Sequence, residues 1–343
     1  MTKKKWFYPV CFVLLAALTL TAILLQNRDL TPASFVSYVS AGNPALLIAA
    51  VVCMLAYIFF EGEALRVLCK AVGYPRPLGS GLIYSASDIY FSAITPSATG
   101  GQPASAVWMM RDGIPGVVTT SILLMNLALY TMAIIVLGAA CILLTPGLFL
   151  EAHALSKLLI VSGGCVQVAM FVGFWLLVFQ PRLLMRIADF VLRALKRLRL
   201  MRNAEARRQK LIALEEDYHR CAELFRARPG ALIRAFLCNL LQRLSLLLVP
   251  VMTFLATGGA PRSIARAFTA QGLVVLGSNS VPLPGGVGVS DYLFMDLFGN
   301  FVPDPAELNL LSRGISFYAC ILLCALAMLV SLALRKRRGG THS

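Results

Sequence analysis

Thr95-Pro96-Ser97-Ala98-Thr99-Gly100-Gly101-Gln102-Pro103 cuts one apolar stretch of this chain, and Pro282-Leu283-Pro284-Gly285-Gly286-Val287-Gly288 cuts another far downstream. Proline lacks an N–H and glycine lets the backbone leave the helical region, so each cluster strands peptide groups. Hydrocarbon cannot satisfy such groups, so protein, water or a ligand must do so. In a membrane protein, breaks of this kind mark the working site.

Membrane residence follows from composition and run length. Of the 343 residues 58% are hydrophobic and 14% charged, and the mean hydropathy is +0.77. Six apolar runs, 6–25, 44–60, 116–144, 156–179, 231–256 and 310–334, are long enough to cross a hydrocarbon core of about 30 Å. Two weaker pairs remain, 79–94 with 102–110 and 263–281 with 289–298, each with a Pro/Gly cluster between its halves. Lys3, Lys4 and Lys5 stand before the first run. That run is long and no A-x-A site follows it, so it reads as a retained span rather than a signal peptide.

The formal charge of +15 concentrates in Lys3 to Lys5, in 182–228 and in Arg335, Lys336, Arg337 and Arg338. This is the positive-inside pattern of a polytopic protein, and no nucleic-acid partner is expected. Most of the nine cysteines fall in apolar spans, where cysteine acts as a small hydrophobe. No C-x-x-C pair occurs, and His153, His219 and His342 are scattered, so neither a metal nor a cofactor is expected.

Charge also orients the spans. With both termini in the cytosol, the loop carrying Arg66, Lys70 and Arg76 is inside and the cation-poor loop 145–155 is outside. The first weak pair then enters and leaves from the cytosolic face, and the second from the outer face. The fold class expected is all-α and integral to the membrane: about six full transmembrane helices plus two opposed re-entrant helical hairpins, resembling inverted repeats with a site near the midplane. Kinked full spans are the alternative. The domain organisation is a first membrane half, 1–180, with its hairpin at 79–112, a basic cytosolic insert at 181–230, and a second membrane half, 231–338, with its hairpin at 263–298.

Arg243 falls about halfway along 231–256, near Asn239 and Gln242. A charge at that depth is costly unless it faces protein or water. A guanidinium can hold a lipid phosphate through two parallel hydrogen bonds; burial as a pair with Asp88 or Asp291 is the other reading. Asp88 lies within the first hairpin, where it can meet an ammonium, relay a proton or pair internally. Asp291 follows the second break, where a carboxylate suits a helix start. Glu61 and Glu63 fall at a membrane edge and are expected to be solvated. Gln102 and Asn279 are candidates to bond a headgroup or to satisfy the broken backbone. Thr95, Pro96, Gly100, Gly101 and Pro103 form the first hairpin motif, and Pro282, Pro284, Gly285, Gly286 and Gly288 the second. Their glycines allow sharp turns and close approach of half-helix amides to an anion. No Lys-Ser/Thr pair accompanies them, as a nucleotide loop would need.

Within 181–199, Leu184, Ile187, Ala188, Val191, Leu195 and Leu198 share one helical face and five cations lie opposite. Such a basic amphipathic helix suits an anionic membrane surface. Leu211, Leu214, Tyr218, Cys221 and Phe225 continue at helical spacing, as in a second helix packed on the first.

Ile94-Thr95-Pro96 through Gly100-Gly101-Gln102-Pro103, then Arg111-Asp112-Gly113-Ile114, and later Pro282-Leu283-Pro284-Gly285-Gly286-Val287-Gly288-Val289-Ser290-Asp291 resemble the lysylphosphatidylglycerol synthetase/flippase membrane-domain family. The resemblance spans nearly the whole chain, and the family pattern carries Glu where Asp291 stands. It implies a standalone membrane domain that handles phospholipid, without the soluble aminoacyltransferase domain of some members. The expected function is a flippase that binds the headgroup of phosphatidylglycerol or lysylphosphatidylglycerol between the hairpins, in a bacterial cell membrane. The alternative is a phosphatidylglycerol lysyltransferase, or a partner subunit of one, contributing to cationic-peptide resistance. A homo-oligomer and a separate synthase partner both stay open.

Overall fold

A computed structural model describes residues 40, 42–95, 99–180, 186, 216–279 and 288–339. The fold is an all-α membrane fold, and among the described residues there is no strand. Helix α1 is Pro44–Ala71, α2 Leu78–Ile94, α3 Gly101–Arg111, α4 Gly116–Leu144, α5 Pro146–Glu151 and α6 Ala154–Phe179. After a helical segment at 216–226 come α7 Pro229–Ala256, α8 Ile264–Ser278, α9 Val289–Gly299, α10 Pro305–Arg313 and α11 Cys320–Gly339.

Among the described residues five helices are long and apolar enough to cross a membrane: α1, α4, α6, α7 and the composite 305–334. The sixth crossing expected, 6–25, lies outside the described residues. So does the amphipathic stretch 181–199 except Arg186, and so do Pro96 and 280–287 with Pro282, Pro284, Gly285 and Gly286.

Two elements depart from the sequence reading. The span expected at 44–60 does not stop there: α1 continues to Ala71, because no proline falls between Glu61 and Lys70 and Leu65, Leu68 and Cys69 extend its buried face. The last span is not one regular helix. A π-helical turn, Gly314–Ala319, joins α10 to α11.

The weak pairs are short helices that pack on one another, α2 on α3 and α8 on α9. At a rise of about 1.5 Å per residue, α3 and α9 reach only about 16 Å, roughly half a hydrocarbon core. Close packing at glycines fixes these elements. A Cβ on Gly62 of α1 would stand 2.9 Å from the Gly81 carbonyl group of α2, and small residues of this kind let membrane helices meet backbone to backbone. On the other side, a Cβ on Gly163 of α6 would strike the Leu276 carbonyl oxygen of α8.

Buried apolar side chains form two cores. One joins α1, α2, α3 and α11 through Leu65, Tyr84, Met109 and Cys324. The other joins α6, α8, α9 and α10 through Ile160, Leu273, Leu293 and Leu308. Helices α4 and α7 serve both, Ile122 and Val249 in the first and Ile134 and Val251 in the second. Half of the most apolar window of α7 is buried, against 17% for α6, so α7 is the central helix and α6 faces lipid. In the segment 216–226, Tyr218, Cys221 and Phe225 are buried, and the Tyr218 hydroxyl donates to the Leu177 carbonyl at 3.0 Å.

Candidate functional site

Polar side chains on the central helix repeat at helical spacing. Asn239, Gln242 and Arg243 share one buried face of α7, with Leu246 a turn further on and Pro250 a turn beyond that. Arg243 stands 14 residues into a 28-residue helix, about 21 Å from its start and so near mid-membrane. It is 8% exposed. Its guanidinium carbon lies 4.0 Å from the centre of the Tyr130 ring of α4 and 5.4 Å from that of Tyr57 of α1. Aromatic faces can hold a desolvated cation at a gain of roughly 2 kcal/mol. Among the described residues Arg243 forms no ion pair, and its Nε is buried without a hydrogen-bond partner. Neither pairing open from sequence is therefore made: Asp88 and Asp291 both have other partners.

Asp88 is buried on α2. Gln102, from the start of α3, donates to its Oδ2 at 2.7 Å, and Ser92 donates to its Oδ1 at 3.2 Å. The broken segment produces this arrangement. Thr95 Oγ1 donates to the Phe91 carbonyl at 2.6 Å and accepts from the Gly100 amide at 2.9 Å, closing the end of α2 against the start of α3. A Cβ on Gly101 would collide with the Asp88 carboxylate and the Ser92 hydroxyl. Gly101 is thus required for α3 to come close enough for Gln102 to reach Asp88.

Glu61 overturns its sequence reading as a solvated edge residue. It is 6% exposed, accepting from Gln242 Nε2 at 3.0 Å and from Ser85 Oγ at 3.4 Å. The reason is the continuation of α1, which keeps Glu61 one turn beyond Tyr57 on the buried face. The Gly62–Gly81 crossing then brings Glu61 against Ser85 and Asp88, which lie one and two turns after Gly81. The Glu61 and Asp88 carboxyl groups meet each other and share Arg243 as the neighbouring cation. The periodic face Tyr57, Glu61, Ala64, Leu65 and Leu68 was the available signal for this residue.

Asn239 completes the buried polar band, donating to Asn126 Oδ1 of α4 at 3.1 Å and to the Ala235 carbonyl at 3.0 Å. Several amide oxygens there, Gln102 Oε1, Gln242 Oε1 and Asn239 Oδ1, are buried without a partner. Beside the band a narrow cleft opens between α4, α7 and α8. Gly138, Gly272 and Arg243 form part of its wall. Pro250 has no N–H to give the carbonyl of Leu246, another lining residue.

Asp291 and Asn279 are not gathered into this band. Asp291 caps α9, accepting from the Gly288 amide at 3.0 Å, and the positive φ of +83° at Gly288 suits a glycine. It also accepts from Asn309 at 2.8 Å and pairs with Arg313 at 3.0 Å. Those partners, and not Arg243, neutralise it, because α10 folds back over the start of α9. Asn279 closes the end of α8 by donating to the Val275 carbonyl at 2.7 Å. Val275 lines the cleft, which places Asn279 one turn away. Among the described residues no cluster of His, Cys, Asp and Glu could hold a metal.

Spanning helices, two broken helix pairs and a buried polar band at mid-membrane define a polytopic helical membrane protein with an internal polar site. The chain belongs to the lysylphosphatidylglycerol synthase TM region family, whose model matches residues 11–324. It is a membrane protein of a lipid-related family. A comparison with curated proteins gives no match.

Proposed function

We propose that this protein is a phospholipid flippase, carrying phosphatidylglycerol or its lysyl ester between leaflets with the headgroup held at Arg243. One observation carries the reading: a guanidinium at mid-membrane with a buried, unpartnered Nε on the wall of a cleft. A cation retained at that depth is costly and marks a transport path or binding site. Tyr130 lies against the guanidinium and Tyr57 bonds it, while the unpartnered Nε side is left for a bidentate acceptor such as the two non-bridging oxygens of a phosphate diester. The cleft is narrow in this conformation, so a phosphoglycerol headgroup is admitted only as α4, α7 and α8 part, while the acyl chains stay in the bilayer. In this reading Gln102 and Asp88 meet an ammonium or hydroxyl of the headgroup once the cleft opens toward them, and Asn279 and Asp291 order the second helix pair.

In this reading the two helix pairs are re-entrant hairpins that approach from opposite faces and rock about the headgroup. The basic insert 181–199 rests on the anionic cytosolic leaflet, with both termini on that side. The division into 1–180, 181–230 and 231–338 follows from the same scheme.

The binding step is tested by heating purified protein with short-chain phosphatidylglycerol or with diacylglycerol of the same chains. Phosphatidylglycerol should stabilise the wild type by mass action, and Arg243→Ala should abolish the difference between the two lipids. Equal stabilisation by both in the wild type contradicts a phosphate site. Lysyl lipid formed by the purified chain alone from lysyl-tRNA and phosphatidylglycerol would make it a synthase instead.

A further inference from the structure

Two carboxyl groups from different helices meet inside the protein. Glu61 of α1 and Asp88 of α2 are 6% exposed each, interact with one another, and have as their nearest cation an arginine that pairs with neither. The titratable groups that face this pair are Tyr57 of α1, Tyr130 of α4, Arg243 of α7 and Cys324 of α11. Arg243 is the only cation among them. A second observation points to a bound donor. Gln242 is fully buried, its Nε2 is spent on Glu61, and its Oε1 has no partner.

We propose that Glu61 and Asp88 form a proton-exchange site, and that an anionic phospholipid crosses together with a proton taken up there. The inference rests on the phospholipid reading of the cleft. Two carboxylates in contact in a buried setting do not both stay ionised; they titrate as a pair and hold one proton between them. With one shared proton the pair carries a single negative charge, which cancels that of Arg243, so the empty site is neutral. A phosphate diester brings one further negative charge onto Arg243. Neutrality at that depth is restored when the second carboxylate takes a proton from the water that admits the headgroup. The proton forms an O–H bond on Glu61 or Asp88 during loading and returns to water at the other face when the phosphate leaves. No other reactant is needed.

Purified full-length protein in weakly buffered detergent with an indicator dye tests the loading step. Addition of short-chain phosphatidylglycerol should take up roughly one proton per lipid bound, and Glu61→Gln should remove that uptake. Saturable binding by the wild type without proton uptake overturns the proposal and leaves the lipid reading standing. In liposomes a proton gradient directed along the lipid movement should speed phosphatidylglycerol transfer by the wild type several-fold. The ratio of rates with and without the gradient should fall to one in Asp88→Asn. Transfer by the wild type that ignores a proton gradient, or answers only to a sodium gradient at constant pH, also overturns it. Phosphatidylglycerol that neither binds nor moves under any of these conditions removes the lipid reading and the coupling with it.

Discussion

Replacing Arg243 by lysine keeps the charge and loses the plane. A lysine ammonium cannot keep the contact with the Tyr130 ring while offering two parallel N–H groups to a phosphate. Arg243→Lys is therefore expected to slow phosphatidylglycerol transfer by tenfold or more, a loss of about 1.4 kcal/mol or greater in the transfer step. A lipid transfer assay at matched protein density checks this; unaltered transfer would reduce the guanidinium to a plain charge. Tyr130 makes the closer ring contact. Tyr130→Phe should retain most of the activity because the ring face remains, whereas Tyr130→Leu should lower it by roughly the 2 kcal/mol of a desolvated cation–π contact. Equal effects of the two would place the role of Tyr130 in its hydroxyl.

At the level of elements, glycines set which helices can meet. Gly101→Ala drives a methyl into Asp88 and Ser92, so α3 must shift away from α2. Overpacking of this sort costs about 1–3 kcal/mol, and Gln102 loses its reach to Asp88. Gly163→Ala should cost a similar amount, because its Cβ meets the Leu276 backbone, yet it lies apart from the carboxyl pair. Thermal unfolding in detergent should report both, while proton uptake on lipid binding should fail only in Gly101→Ala among the folded fraction. A pH effect belongs to the contact between α9 and the loop before α6. Asp296 accepts from the His153 amide at 3.1 Å and also bonds its ring. Burial pushes the Asp296 carboxyl up, but the neighbouring Ser156 hydroxyl and the hydrogen bonds from His153 outweigh that and hold it below its ordinary value. A lowered carboxyl stabilises the fold above the unfolded value of about 3.9, and that stabilisation is lost as pH falls through the lowered one. The stability advantage of wild type over Asp296→Asn should be full at pH 6 and fade below about pH 4; an advantage that grows on acidification would reverse this assignment.

Elements and site were not equally readable from sequence. The spans at 116–144 and 231–256 and both broken pairs announced themselves, because long apolar runs and Pro/Gly clusters are local signals. Arg243 was visible for the same reason, as a lone charge in such a run. Glu61 was hidden by its neighbours: Glu63 and Arg66 make the stretch look like a membrane edge, while the helix in fact continues. The pairing of Asp291 with Arg313 depends on how α10 folds back on α9, and the π turn after it depends on packing between elements. Neither has a pattern within a few residues that could have been read.

Across the whole molecule, a buried polar centre stands at the junction of two apolar cores, with α4 and α7 common to both. Movement of one core against the other would open the cleft to alternate faces, which requires the two broken pairs to open on opposite sides. Single cysteines at Thr99 and Val287 in an otherwise cysteine-free protein should accordingly react with membrane-impermeant reagents from opposite faces. Reaction of both from one face would replace opposed hairpins with full spans. The most direct test of the central claim is the transfer of labelled phosphatidylglycerol between leaflets of liposomes holding the purified protein, with Arg243→Ala alongside. Transfer well above that of empty liposomes by the wild type, and near that of empty liposomes by Arg243→Ala, is the expected result. Wild-type transfer no faster than in empty liposomes, or undiminished in Arg243→Ala, would contradict a flippase working through this arginine.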